Sequence, residues 1–206
     1  MKLRKIITMG LAAIMAVSAM SISAFAAETD NFVTKDVTFY QQNEQGDIEN
    51  MGTFTINVSE DMSDSDIKAM AINEAAERAG GSFTIKSTPV NRREGTIPHA
   101  DSSNWAIGRY FYPASGSNAV ALCLEDIQSQ VESVNVRLRN ESLNSDSYTT
   151  EINIQNNGLT VILVNNSFME HGNQVKISSN YRYAFYVSTY SSPGTAKATV
   201  YTGVYN

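Results

Sequence analysis

The sequence predicts a mainly β protein: a C-terminal antiparallel β-sandwich, jelly-roll-like or Ig-like, preceded by a small ββαβ (α+β) part with one helix. Three observations carry this prediction. From Ala106 to Tyr205, eight short runs rich in Val, Ile, Tyr and Thr recur at sandwich-like spacing, with polar turns between them. One stretch, Ser63 to Gly81, has clear helical signals at both ends. Between these regions, 89–104 combines Pro89, Arg92-Arg93, Gly95 and Pro98 with few apolar anchors, the composition of a linker or long surface loop. The expected division is therefore a leader over 1–26, an α+β part over 27–88, the linker, and the sandwich over 105–206.

The leader has the order of a signal peptide. Lys2, Arg4 and Lys5 form a positive start, Ile6 to Ile22 an apolar stretch, and Ala24-Phe25-Ala26 a small-x-small cleavage site. The mature chain is expected to begin at Ala27. Ser18, Ser21 and Ser23 interrupt the apolar run, which argues for cleavage over retention as an anchor. No later run approaches ~18 apolar residues, so no second span is expected. These features predict a secreted, extracellular product with no membrane association after cleavage.

In the α+β part, Asp36–Gln42 and Gly52–Val58 alternate with period two, aligning Val37 with Phe39 and Phe54 with Ile56 and Val58. The polar stretch Asn43–Met51 between them reads as a hairpin loop. Ser63 and Asp66 have capping-box spacing, and the acidic first turn suits the positive end of a helix. Ile67, Met70, Ala71, Glu74 and Ala75 trace one helical face, and Gly80-Gly81 ends it. A strand over Ser82–Ser87 completes the unit.

Eight strands are expected beyond the linker: Ala106–Tyr112, Ala119–Leu124, Ser133–Asn140, Glu151–Gln155, Leu159–Asn165, Gln174–Ser178, Arg182–Tyr190 and Lys197–Tyr205. Val134, Val136 and Leu138 alternate with Asn135, Arg137 and Arg139, a strand buried on one side. Leu159–Val164 is apolar except for Thr160, the pattern of a central strand covered on both faces. Asn156-Asn157-Gly158 predicts a hairpin between the strands on either side of it. The last two strands flank Ser191-Ser-Pro-Gly194, a second hairpin signal that sets Tyr190 opposite Thr195. One face of that hairpin then carries Tyr183, Phe185, Val187, Ala198, Val200, Thr202 and Val204 toward the core. The other carries Arg182, Tyr186, Ser188, Tyr190, Lys197, Thr199 and Tyr201 toward solvent.

Charge narrows the partners. Residues 27–90 hold twelve acids and four bases, and residues 91–206 nine acids and eight bases, so the mature chain has a net charge of −9. A chain this acidic repels polyphosphate and anionic lipid, which disfavours nucleic acid as a partner. The single cysteine, Cys123, excludes an internal disulfide and lies in a strand-like apolar run, where a buried inert thiol is expected. Trp105 reads as a core anchor.

Signals for catalysis are weak. His99 and His171 stand far apart with no paired spacing, so neither a zinc site nor a cofactor is signalled. Glu60, Asp61, Asp64 and Asp66 lack the glycine and distal glutamate of a helix-loop-helix calcium loop, and helix capping accounts for them. A structural calcium held between sandwich loops leaves no local motif and stays open. No Gly-x-Ser-x-Gly and no phosphate-binding glycine loop occur, and Glu125-Asp126 is an adjacent carboxylate pair without a second, facing acid.

The residues that lean toward a function are the outer-face tyrosines, Tyr186, Tyr190 and Tyr201, with Arg182 and Lys197 at their margins. Tyrosines on a flat sheet serve both sugar stacking and protein recognition. They also stabilise sheets through cross-strand pairs, so cover by the N-terminal part is the competing reading. The sequence favours a secreted, bacterial-type, non-catalytic binding protein for glycan or a cell-surface protein. Two alternatives stand beside it: a secreted hydrolase whose carboxylates meet only in the fold, and a pro-protein cut near Arg92-Arg93.

Overall fold

Helix α1 (Asp64–Arg78) begins where the capping residues put it. The Ser63 side chain accepts a hydrogen bond from the Asp66 backbone N–H and donates to the Asp66 carboxylate at 2.6 Å. The helix closes at Ala79, and Gly80 follows with a φ of 80°, a conformation glycine adopts without strain. The computed structural model describes residues 32–42, 48–89, 91–99, 105–143, 145–153, 158–165, 167–170 and 173–206. The leader lies outside them, as does the side chain of Trp105. No helix among the described residues is long and apolar enough to cross a membrane.

Strands β1 (Phe32–Gln42) and β2 (Ile48–Ser59) precede the helix, and β3 (Phe83–Ile85) and β4 (Asn91–Ile97) follow it. Then come β5 (Trp105–Phe111), β6 (Ala119–Glu125), β7 (Ser133–Asn140), β8 (Ser145–Asn153) and β9 (Leu159–Val164). A short ribbon pairs β10 (Ser167–Glu170) with β11 (Asn173–Lys176), and β12 (Tyr183–Ser188) and β13 (Gly194–Tyr205) end the chain. The fold is mainly β with one helix. A seven-stranded sheet runs β2-β1-β9-β6-β13, with β3 and β4 sharing the outer edge of β13. A four-stranded sheet runs β5-β12-β7-β8.

Two apolar clusters hold these elements in layers. Val120, Leu122, Leu124, Ile162 and Val200 of the larger sheet meet Val134, Val136, Leu138, Tyr183, Phe185 and Val187 of the smaller one. On its other face the larger sheet presents Ala119, Ala121, Cys123, Val161, Leu163 and Tyr201 to Ala71, Ile72, Ala75 and Ala76 of α1. Small side chains on both surfaces let the helix lie close to the sheet. β6 and β9 are buried at every position, because each contributes alternate residues to the two clusters. The expectation of a central strand at Leu159–Val164 describes this arrangement.

Three expectations differ from the structure. First, the linker over 89–104 contains β4, which pairs with β13 from Gly194↔Ile97 to Val200↔Asn91. The N-terminal part is no separate core: β1 pairs in parallel with β9, and α1 covers strands from both sides of the expected boundary. Second, β8 and β9 form no hairpin, since β8 pairs with β7 and β9 with β6 and β1. Gly158 is needed for close approach instead, because a Cβ there would collide with the Asp36 carbonyl of β1. Third, β12 and β13 do not pair. Both edges of β12 are taken by β5 and β7, and β13 lies in the other sheet between β6 and the β3–β4 edge. Alternation could not distinguish these cases, because a hairpin and a crossing between sheets bury the same inward residues.

One ion pair ties the helix to the sheet beneath it. Lys68 is buried, and its Nζ lies 2.8 Å from the Asp64 carboxylate and 2.5 Å from that of Glu125 on β6. Lys35 of β1 stands 3.7 Å from the other Glu125 oxygen. Removing one partner from such a pair leaves a buried charge with reduced compensation. Lys68→Ala is expected to cost about 3 to 5 kcal/mol in denaturant unfolding, with much of it recovered in Lys68→Met with Glu125→Leu. An additive loss in the double variant would disprove the coupling.

Side-chain direction in the last two strands makes a second prediction. Phe185→Ala and Tyr201→Ala, both fully buried, should each cost about 3 to 5 kcal/mol. Tyr190→Ala, at a side chain 60% exposed, should stay within about 0.5 kcal/mol. Thermal and chemical melts of the three variants check this, and a mild Tyr201→Ala would place that ring outside the core.

Candidate functional site

Alternation along β12 and β7 builds a polar surface on the outer side of the four-stranded sheet. In β7, buried Val134, Val136 and Leu138 alternate with partly exposed Asn135, Arg137 and Arg139. In β12, buried Tyr183, Phe185 and Val187 point inward and Tyr186 outward. The register sets Tyr186 beside Arg137 and Ala184 beside Arg139. β5 adds Tyr110, 52% exposed, along the opposite edge of β12.

Two guanidinium–ring stacks organise the surface. Arg182 lies over the Tyr110 ring, 4.1 Å from its centroid, and Arg137 over the Tyr186 ring at 5.0 Å. The Tyr186 hydroxyl donates to Glu141 Oε1 at 2.7 Å, and the Arg139 Nε stands 3.3 Å from that same oxygen. Glu141 thus anchors a tyrosine and an arginine at once. Partial burial, then the hydrogen bond to Glu141 and that residue's charge, push the Tyr186 phenol up to about 12. It stays a neutral donor across the ordinary pH range. Among the described side chains, three guanidinium groups share this surface with the Glu141 carboxylate.

The expected outer-face residues do not form one site. Arg182 and Tyr186 belong to the surface just described. Tyr201 lies under α1, 1% exposed, with its hydroxyl 3.5 Å from the Ser65 carbonyl. Thr199, on the same side of β13, is also buried. Lys197 shares that side and is held by Asp126 at 2.6 Å. Tyr190 is exposed in the connection between β12 and β13. The split follows from the two strands occupying different sheets, whose outward directions are opposite. Tyr110, Arg137, Arg139 and Glu141 complete the surface. The alternation of Arg137 and Arg139 was visible in the sequence, but their pairing with β12 was not.

Elsewhere, the acidic residues near the helix start have structural partners. Asp61 accepts from Ser59, Asp64 pairs with Lys68, and Asp66 accepts from Ser63. No group of three or more His, Cys, Asp and Glu side chains suited to a metal ion occurs among the described residues, which do not include His171. Cys123 is fully buried, and burial pushes its thiol up to about 12, leaving negligible thiolate at neutral pH. No protein-family model and no curated protein matches the chain.

The raised Tyr186 value gives a test of the Glu141 contact. A phenol with a folded value above its free value contributes stability below pH ~10, which is lost as pH rises through about 12. Ultraviolet titration of phenolate should show late steps whose amplitude falls by one tyrosine in Tyr186→Phe, the others belonging to buried rings such as Tyr201. In Glu141→Gln the Tyr186 step should move down without reaching the free value, because burial is the larger cause. A titration unchanged by Glu141→Gln would remove the carboxylate from the account.

Proposed function

We propose that this chain is a secreted, non-catalytic binding protein of the bacterial type that recognises glycan at a cell surface through the outer face of its four-stranded sheet. The observation that supports it is the pair of arginine–tyrosine stacks on one face, Arg182 over Tyr110 and Arg137 over Tyr186. Stacking holds each guanidinium in one orientation while its edge remains available for hydrogen bonds. A stiff antiparallel sheet fixes the spacing between the stacks. The charge–apolar–small order of residues 1–26 supports secretion.

The test is retention of the chain from Ala27 onward on arrays of glycans and of surface proteins. Tyr110→Ala and Tyr186→Ala should each weaken retention about tenfold or more, with a melting transition still present. Lys197→Ala, on the opposite side of the molecule, should leave retention unchanged. Equal retention by all three variants would overturn the assignment of this face.

A further inference from the structure

We infer that Arg182 is an anion receptor and that the glycan recognised by this face bears carboxylates, as a uronate polysaccharide does. The inference rests on the binding reading above and specifies its ligand. It starts from the pairing of the cations. Lys35, Lys68, Arg78, Arg139 and Lys197 each have a carboxylate within 4.0 Å. Arg182 has none among the described residues, and its buried Nε has no hydrogen-bond partner. This occurs in a chain whose acids exceed its bases by six. A carboxylate is also close at hand. Glu141 sits directly across from Arg182, and its backbone N–H donates to the Arg182 carbonyl at 2.8 Å. Yet the Glu141 carboxylate is committed to Tyr186 and Arg139. The stack on Tyr110 then holds the Arg182 guanidinium in place with no described carboxylate against it.

Arginine's planar fork matches a carboxylate in two parallel hydrogen bonds. The neighbouring geometry favours sugar over peptide. β12 is paired on both edges, so an extended peptide could not add beside it. The face does offer the half-exposed Tyr110 ring next to the guanidinium, suited to a sugar ring that carries its acid at the rim.

The experiment uses the chain from Ala27 onward with three polymers: polygalacturonate, its methyl ester, and polyglutamate. Titration calorimetry should show binding to polygalacturonate that weakens with salt and falls about tenfold or more on esterification. Arg182→Gln should lower affinity for the acid form by a similar factor, and Arg182→Lys should restore only part of it, since an ammonium lacks the fork. The esterification arm needs no variant, so a misfolded Arg182→Gln would not obscure the result. Equal affinity for ester and acid, still dependent on Tyr110 and Tyr186, would overturn the inference and leave the binding reading standing. Preference for polyglutamate would overturn it in favour of an acidic protein. Retention of none of the polymers, with array binding of a neutral glycan, would overturn the inference alone. Absence of any binding would overturn both readings.

Discussion

The larger sheet has two apolar faces, and both must be kept from water. β6 and β9 are buried along their whole lengths, so neither face can be the solvent side. Alanines on α1 cover one side, and the four-stranded sheet covers the other. Apolar area removed from water contributes roughly 25 cal/mol per Å², so either cover stabilises the sheet by burying one of its faces. This requirement explains why strands from the two ends of the chain share one sheet. β1 pairs with β9 in parallel, a contact that brings together residues more than a hundred positions apart. The Lys68–Glu125 pair sits within the helix-covered layer and adds direction to a contact made otherwise by small apolar side chains. Its two charges, satisfied by each other and by Asp64 and Lys35, favour one seating of the helix over others.

The same layering decides which tyrosines are available to a partner. Tyr201 and Tyr186 both point away from the space between the sheets, but from opposite sheets. One outward direction meets α1 and the other meets solvent. Tyr201 therefore serves the helix contact, where burial holds its phenol at about 12. Tyr186 serves the surface, where Glu141 and Arg137 fix the ring. Equivalent positions in an alternating pattern end with different physical roles because one sheet is covered and the other is open.

Charge is arranged in a comparable way. On the seven-stranded side, Asp64 and Glu74 of α1 and Glu125 of β6 each pair with a lysine or arginine. The basic residues of β7 and the approach to β12 gather on the far sheet with a single described carboxylate among them. Short-range hydrogen bonds and stacking there act within a Debye length, where the distant acids are screened.

Much of the architecture could be read directly from residue order. Ser63 and Asp66 specify the helix start because capping is local, and Gly80 specifies its end for the same reason. Period-two alternation identified the inward residues Val134, Phe185 and Val200, because burial of an apolar side chain does not depend on which strand lies beside it. The continuous run at Leu159–Val164 announced a strand covered twice. What only tertiary structure decided was pairing. A turn signal such as Ser191-Ser-Pro-Gly194 says that the chain reverses, but reversal within a sheet and passage to the opposite sheet satisfy the same alternation. Residues 91–97 lack the apolar spacing of a strand, yet pair with β13 because backbone hydrogen bonds at its free edge require a partner. The surface of Tyr110, Arg137, Arg139, Glu141, Arg182 and Tyr186 draws on three segments whose adjacency is a matter of register, and register is a property of the assembled sheet.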